Sequence, residues 1–206
     1  MPNNDFDLIV TGAGIVGMST ALYAQKDGLK TAICDPALPG SGTTYGSACT
    51  IATYACIPVN NPSIFMSLPN LLTSRDSPLS FNLRHGLKNT RWMLSFLNNC
   101  RPSRVKHISQ ALGQFLAYAD EGIDPLIAEA QAQDLIVRND CLYVWSSRSG
   151  YEGAKDGNAV RASHGVKFDE LTPNDVRQLE PNLQQPIHRG LRFKGARHIT
   201  NPQELV

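Results

Sequence analysis

An apolar run, Leu8-Ile9-Val10, gives way to Gly12-Ala13-Gly14-Ile15-Val16-Gly17, and eighteen residues past the last glycine stands an acid, Asp35. This spacing constrains the chain more than any other feature. A strand must end in a tight turn, which the first glycine permits. The second glycine lets the main chain approach a pyrophosphate, and the third lets a helix pack close to the strand. The phosphates then sit over the helix N-terminus, where unpaired N–H groups and the positive end of the macrodipole favour negative charge. Asp35 is placed to accept from an adenosine ribose hydroxyl.

A glycine turn alone is weak evidence, so the surroundings matter. Ala21, four residues after Gly17, is small enough to keep the helix close to a sheet. Leu22 and Ala24 to Gly28 read as the rest of that helix and its stop. Thr31-Ala32-Ile33-Cys34 is a short apolar run ending at the acid, as a second parallel strand requires. These levels agree, which argues against a turn that binds nothing. By itself the fingerprint serves NAD and FAD alike.

At 206 residues the chain can bury a sizeable core. Its 42% hydrophobic and 18% charged residues exclude a disordered class, and 19 basic against 18 acidic groups leave +1, which gives no support to a nucleic-acid partner. No stretch has the apolar length of a membrane span, and Met1-Pro2-Asn3-Asn4-Asp5 lacks the features of a signal peptide, so a cytoplasmic location is expected. Cys34, Cys49, Cys56, Cys100 and Cys141 form no CxxC pair and are odd in number, which favours reduced thiols. The five histidines are scattered, so no metal site is expected and no catalytic residue can be named from spacing.

Past Asp35 lies a long Gly/Pro/Ser/Thr-rich stretch, Pro36 to Pro62. Loops of this length are usually functional, and Thr43, Thr44 and Ser47 are placed to cradle a second part of the cofactor. A plain surface connection remains the other reading. Arg84 to Asn98 and Ser103 to Glu121 then carry apolar residues at helical intervals, Trp92, Met93, Phe96 and Phe115 among them, and a core-facing stripe is favoured over a membrane-touching edge. Asp124-Pro125 predicts the opening of a short helix through Gln133. Strands are expected at Cys141 to Trp145 and Val166 to Phe168, with a helix from Tyr151 to Ser163 between them. Thr172-Pro173-Asn174-Asp175 starts another helix, Gly190 to Phe193 begins an extended stretch, and a last helix opens near Pro202.

The fingerprint through Asp35, the loop Gly42 to Cys49, the segment Arg91 to Cys100 and Leu179-Glu180-Pro181 together resemble the FAD-dependent D-amino-acid oxidoreductases, most closely the bacterial D-amino-acid dehydrogenase small subunit. The resemblance runs through nearly the whole chain. It implies FAD as cofactor and removal of hydride from the α-carbon of a D-amino acid, giving an imino acid that water converts to a 2-oxo acid and ammonia. It also implies an electron acceptor such as the respiratory chain and a peripheral association with the inner membrane. The hydride chemistry belongs to the flavin, and the protein supplies position and electrostatics.

Carried over by position, Gly12, Ala13, Gly14, Ile15, Val16 and Gly17 match the phosphate loop, Asp35 the ribose-binding acid, and Thr43, Thr44 and Ser47 the flavin-side loop. Ser47 and Cys49 stand where the dehydrogenases typically have Asn and Gly, and Asp35 where Glu is more frequent. The expected fold is α/β: a Rossmann-like parallel sheet interrupted by an α+β substrate-domain portion. It divides as 1–62 for the nucleotide-binding unit and flavin loop, 63–189 for the inserted portion, and 190–206 for the start of a return segment. The family is much longer, so this reading expects a truncated N-terminal piece with negligible turnover alone. A glycine or sarcosine oxidase of the same fold and a non-enzymatic nucleotide-binding remnant are the alternatives. The substrate side chain and the oligomeric state stay open.

Overall fold

The computed structural model describes residues 5–60, 62 and 88–206. The part of the expected Arg84 to Asn98 helix that precedes Lys88 lies outside the described residues. Contacts divide the chain into two compact units. One comprises the residues up to Ala52, Ala119–Tyr143 and Arg192–Val206; the other comprises Thr53–Tyr118 and Val144–Leu191.

The first unit opens with strand β1 (Leu8–Thr11), helix α1 (Ile15–Lys26) and strand β2 (Thr31–Cys34). The two strands are parallel and in register from Leu8 opposite Thr31 to Thr11 opposite Cys34. This is the strand-helix-strand unit that the glycine spacing predicts, and the fold is α/β. Ala21 is the buried residue of α1, at 4% exposure, where a larger side chain would hold the helix off the sheet. A second sheet follows the order β3-β8-β4, built from β3 (Thr50–Ile51), β4 (Ile136–Arg138) and β8 (Arg197–Ile199). All of its pairings are antiparallel, with Arg197 between Ile51 and Arg138 and His198 between Thr50 and Val137.

Helix α4 (Ala119–Glu129) corrects one expectation: Pro125 sits inside it rather than at its start. A proline there removes one helical hydrogen bond. Arg197, only 4% exposed on β8, receives both Asp120 and Asp124, one turn apart on α4, and this double ion pair holds the helix through the proline. From the other direction Tyr23 of α1 donates through its hydroxyl to the Gly122 carbonyl at 2.9 Å, and Lys26 reaches Glu129. Helix α4 is thereby tied to both α1 and the second sheet.

In the other unit, α2 (Thr90–Asn99) and α3 (Pro102–Leu116) pack together. The buried Ser109 of α3 donates to the Cys56 carbonyl at 2.8 Å, and Asn60 donates to the Asn99 carbonyl at 2.7 Å, fastening the helices to the segment that follows Thr53. The apolar stripe on α2 is only partly inward. Met93, Phe96 and Leu97 are half-buried, but Trp92 is 66% exposed and lies stacked on Phe96 at 5.5 Å, while Phe115 of α3 is 78% exposed.

Helix α5 (Arg148–Ser163) begins three residues before the expected Tyr151, because Ser147 caps it by accepting from the Gly150 N–H at 3.2 Å. Tyr151 is buried edge-on against Trp145. Strand β6 (Phe168–Leu171) runs later than expected, directly into the reciprocal Thr172–Asp175 capping box that opens α6 (Pro173–Leu179). Strands β5 (Cys141–Trp145), β7 (Arg189–Phe193) and β6 form a sheet in the order β5-β7-β6. The final helix, α7 (Pro202–Leu205), starts where the sequence places it and is capped by Asn201. No helix among the described residues is long and apolar enough to cross a membrane.

Candidate dinucleotide site

The β1–α1 turn meets its steric requirements at two glycines. Gly12 has φ +102°, a conformation side chains rarely adopt, and its N–H donates to the Cys34 carbonyl at 2.9 Å, joining the ends of the two parallel strands. Gly17 is the point of closest approach. A Cβ there would lie 1.9 Å from the Gly12 carbonyl oxygen, inside any tolerable contact. The turn therefore accepts no larger residue at its third glycine without opening.

Helix α1 starts behind Gly14, whose backbone is extended and which has no side chain to cap the helix. The cap comes from the loop after β2: Thr44 Oγ1 accepts from the Ile15 N–H at 3.2 Å. The same loop donates back through the Gly40 N–H to the Ala13 carbonyl at 2.9 Å. Asp35 closes the arrangement. Its Oδ2 accepts from the Ala13 N–H at 2.7 Å and its Oδ1 from the Ala37 N–H at 2.8 Å. The Ala13 bond, then the Ala37 bond, hold this carboxyl below the usual aspartate range, against a smaller opposing effect of burial.

Ala13, Gly14, Ile15, Asp35 and Thr44 are thus brought together at the head of α1, beside Gly12 and Gly17. Val16 is exposed at 77%, and Thr43 is exposed on the loop. Ser47 turns to its own loop and accepts from the Cys49 N–H at 3.3 Å. Cys49 has φ +58°, in the left-handed region, at the position where the resemblance in the sequence leads one to expect Gly. The sequence reading expects Asp35 as a ribose acceptor; the structure shows it bracing the glycine turn through the Ala13 N–H. The signal was its position at the end of β2, beside the turn it holds. Among the described residues no group of three or more His, Cys, Asp or Glu is placed to hold a metal.

Comparison with known proteins agrees with this geometry. The model of the FAD dependent oxidoreductase family matches residues 7–206. A D-amino-acid oxidase of Bradyrhizobium diazoefficiens is 28% identical over 200 residues, covering 96% of this chain and 47% of that protein. A D-amino acid dehydrogenase of Dechloromonas aromatica is 25% identical, with 93% and 44% covered. Among solved structures, glycine oxidase from Geobacillus kaustophilus shares the fold at a TM-score of 0.58 and 13% identity, over 97% of this chain and 42% of that one. The chain spans slightly less than half the length of these curated relatives.

FAD is the cofactor of this family, and the turn fits it: with no side chain at Gly17 the helix starts directly against the Gly12 carbonyl, and Gly14 at the head of α1 has no side chain to cap it, as a helix N-terminus that takes a phosphate requires. The chain belongs to the FAD-dependent oxidoreductase family, within which it is similar to D-amino-acid oxidases and dehydrogenases.

Proposed function

We propose that this chain supplies the FAD-binding part of an enzyme that oxidises D-amino acids to 2-oxo acids and ammonia. The observation that carries the reading is the Gly17–Gly12 approach at the head of α1, in a chain matched by the family model over residues 7–206. Bound FAD supplies the two-electron acceptor for oxidation of the amine-bearing carbon. The chain's own residues then have distinct tasks. Gly12 to Gly17 would hold the pyrophosphate through backbone N–H groups at the first turn of α1. Asp35 keeps acceptor capacity on both oxygens for ribose hydroxyls, since each holds a second lone pair beyond its backbone bond. Thr44, with Thr43 and Ser47, would hold the flavin-side part of the cofactor, Ser47 by leaving its bond from the Cys49 N–H. Because Thr44 already serves Ile15, cofactor binding and helix capping meet in one hydroxyl.

The electron acceptor is the respiratory chain in this reading, in line with the similarity to D-amino acid dehydrogenases. The similarity to a D-amino-acid oxidase favours oxygen as a second reading. Deleting the coding sequence from the source organism tests both. Cell extracts should lose FAD-dependent, D-specific deamination of D-alanine, and the wild-type gene should restore it while Gly17→Ala should not. Unchanged deamination in the deletion strain contradicts the proposal, and stoichiometric hydrogen peroxide in the wild type selects the oxidase reading.

A further inference from the structure

We propose that Gly40, seated against helix α7, is a positioning residue for the cofactor: it fixes the peptide that presents the Gly14 N–H to the pyrophosphate. This rests on the head of α1 being the FAD site and on no particular substrate, and its test involves no turnover, so it and the D-amino-acid reading can fail separately. The first observation is burial. Gly40 is the only buried residue between Ile33 and Tyr54, in a loop whose other residues are exposed or half-buried. Its φ is +69°, which favours glycine. A Cβ there would lie 3.0 Å from Val206 Cβ and 3.2 Å from both the Cα and the carbonyl oxygen of Gln203, tighter than ordinary van der Waals contact. The loop therefore sits on α7 with no room for a side chain between them. That helix is itself anchored: the Thr200 N–H donates to the Leu135 carbonyl at 2.9 Å, and Asn201 caps α7 by accepting from the Glu204 N–H at 3.3 Å.

The second observation is what Gly40 holds. Its N–H donates to the Ala13 carbonyl at 2.9 Å, and its own carbonyl accepts from the Tyr45 N–H at 3.0 Å. Across a planar trans peptide the C=O and the following N–H point in opposite directions. Pinning the Ala13 carbonyl toward the loop therefore aims the Gly14 N–H away from it. On the peptide before, Asp35 takes the Ala13 N–H at 2.7 Å, and on the peptide after, Thr44 takes the Ile15 N–H at 3.2 Å. Among the described residues the Gly14 N–H has no acceptor. The peptide between two occupied donors is thus oriented by its carbonyl, and its N–H is left for a phosphate at the helix N-terminus. Gly40 works through its backbone alone, and its lack of a side chain lets α7 back it.

Calorimetric titration of the 206-residue chain with FAD, at a temperature where the variants remain folded, tests the proposal. Gly40→Ala should weaken FAD binding about tenfold, as the loss of one hydrogen bond to a charged group does. Gly28→Ala is the control for backbone strain. Gly28 has φ +88° with nothing within 4 Å of its Cβ position, so its variant should lose stability yet keep FAD affinity within about twofold. Asn201→Ala acts from the other side: by uncapping α7 it should weaken FAD binding several-fold, whereas Thr172→Ala, which uncaps α6, should leave it unchanged. This pair carries the test even where Gly40→Ala does not fold. Weakening confined to Gly40→Ala and Asn201→Ala supports the proposal. It is overturned by a wild-type chain that binds no FAD, by equal FAD affinities of Gly40→Ala and Gly28→Ala, or by equal affinities of Asn201→Ala and Thr172→Ala.

Discussion

Thr44 Oγ1 accepts the Ile15 N–H at 3.2 Å, so the loop after β2 supplies the cap that Gly14 cannot give to α1. Thr44→Val keeps the shape and removes the acceptor. It should cost about 1 kcal/mol of stability, as the loss of a helix cap does, and should weaken FAD binding. Chemical denaturation with and without FAD measures both. An unaltered midpoint in the two conditions would mean that the hydroxyl caps nothing.

Cys49 occupies left-handed backbone at φ +58°, which costs a side chain about 1–2 kcal/mol and glycine nothing. Glycine returns part of this through the greater freedom of the unfolded chain. Cys49→Gly should therefore stabilise the chain by about 0.5–1 kcal/mol, whereas Cys49→Ala should not. Thermal melts of the two variants compare them directly.

Arg197 and its two acids should respond unequally to removal. Asp120 and Asp124 are about half exposed while Arg197 is buried. Asp120→Asn with Asp124→Asn strands a buried cation and should cost about 3 kcal/mol or more. Arg197→Met leaves two carboxylates that water can reach and should cost about 1 kcal/mol. Urea titrations that gave the opposite order would contradict the burial-based account of this joint.

Asp35 has a carboxyl pKa lowered from 3.8 by its bonds from Ala13 and Ala37. Its contribution to stability is present above the ordinary aspartate value and is lost as pH falls through the lowered one. The difference in melting temperature between the wild type and Asp35→Asn should be full at neutral pH and close below pH 3.8. A gap that persists undiminished in acid would mean that the charge of Asp35 is not what braces the turn.

The strand-helix-strand unit was legible because Gly12, Gly14, Gly17, Ala21 and Asp35 each state a local geometric need at a fixed spacing. The Thr172–Asp175 capping box was legible for the same reason, since capping is decided within four residues. Strand β8 was not legible. Arg197-His198-Ile199 has the composition of a surface loop, and only the distant Asp120 and Asp124 make its arginine a core residue. Those same contacts hid the true start of α4, where Pro125 looks like an opening residue. Trp92 misled for the converse reason: its spacing fits a buried stripe, yet its ring lies exposed on Phe96. Within the site, Gly12 to Gly17 and Asp35 were readable from motif spacing. The Thr44–Ile15 and Asp35–Ala13 bonds depend on how the loop folds back, which no spacing encodes.

The most direct test of the central claim, that the head of α1 is an FAD site, is the visible spectrum of the purified chain after incubation with FAD and desalting, beside that of Gly17→Ala. The account predicts retained flavin bands in the wild type and their loss in the variant, whose Cβ would meet the Gly12 carbonyl. Loss of all flavin from a folded wild-type sample, or equal retention by Gly17→Ala, would contradict it.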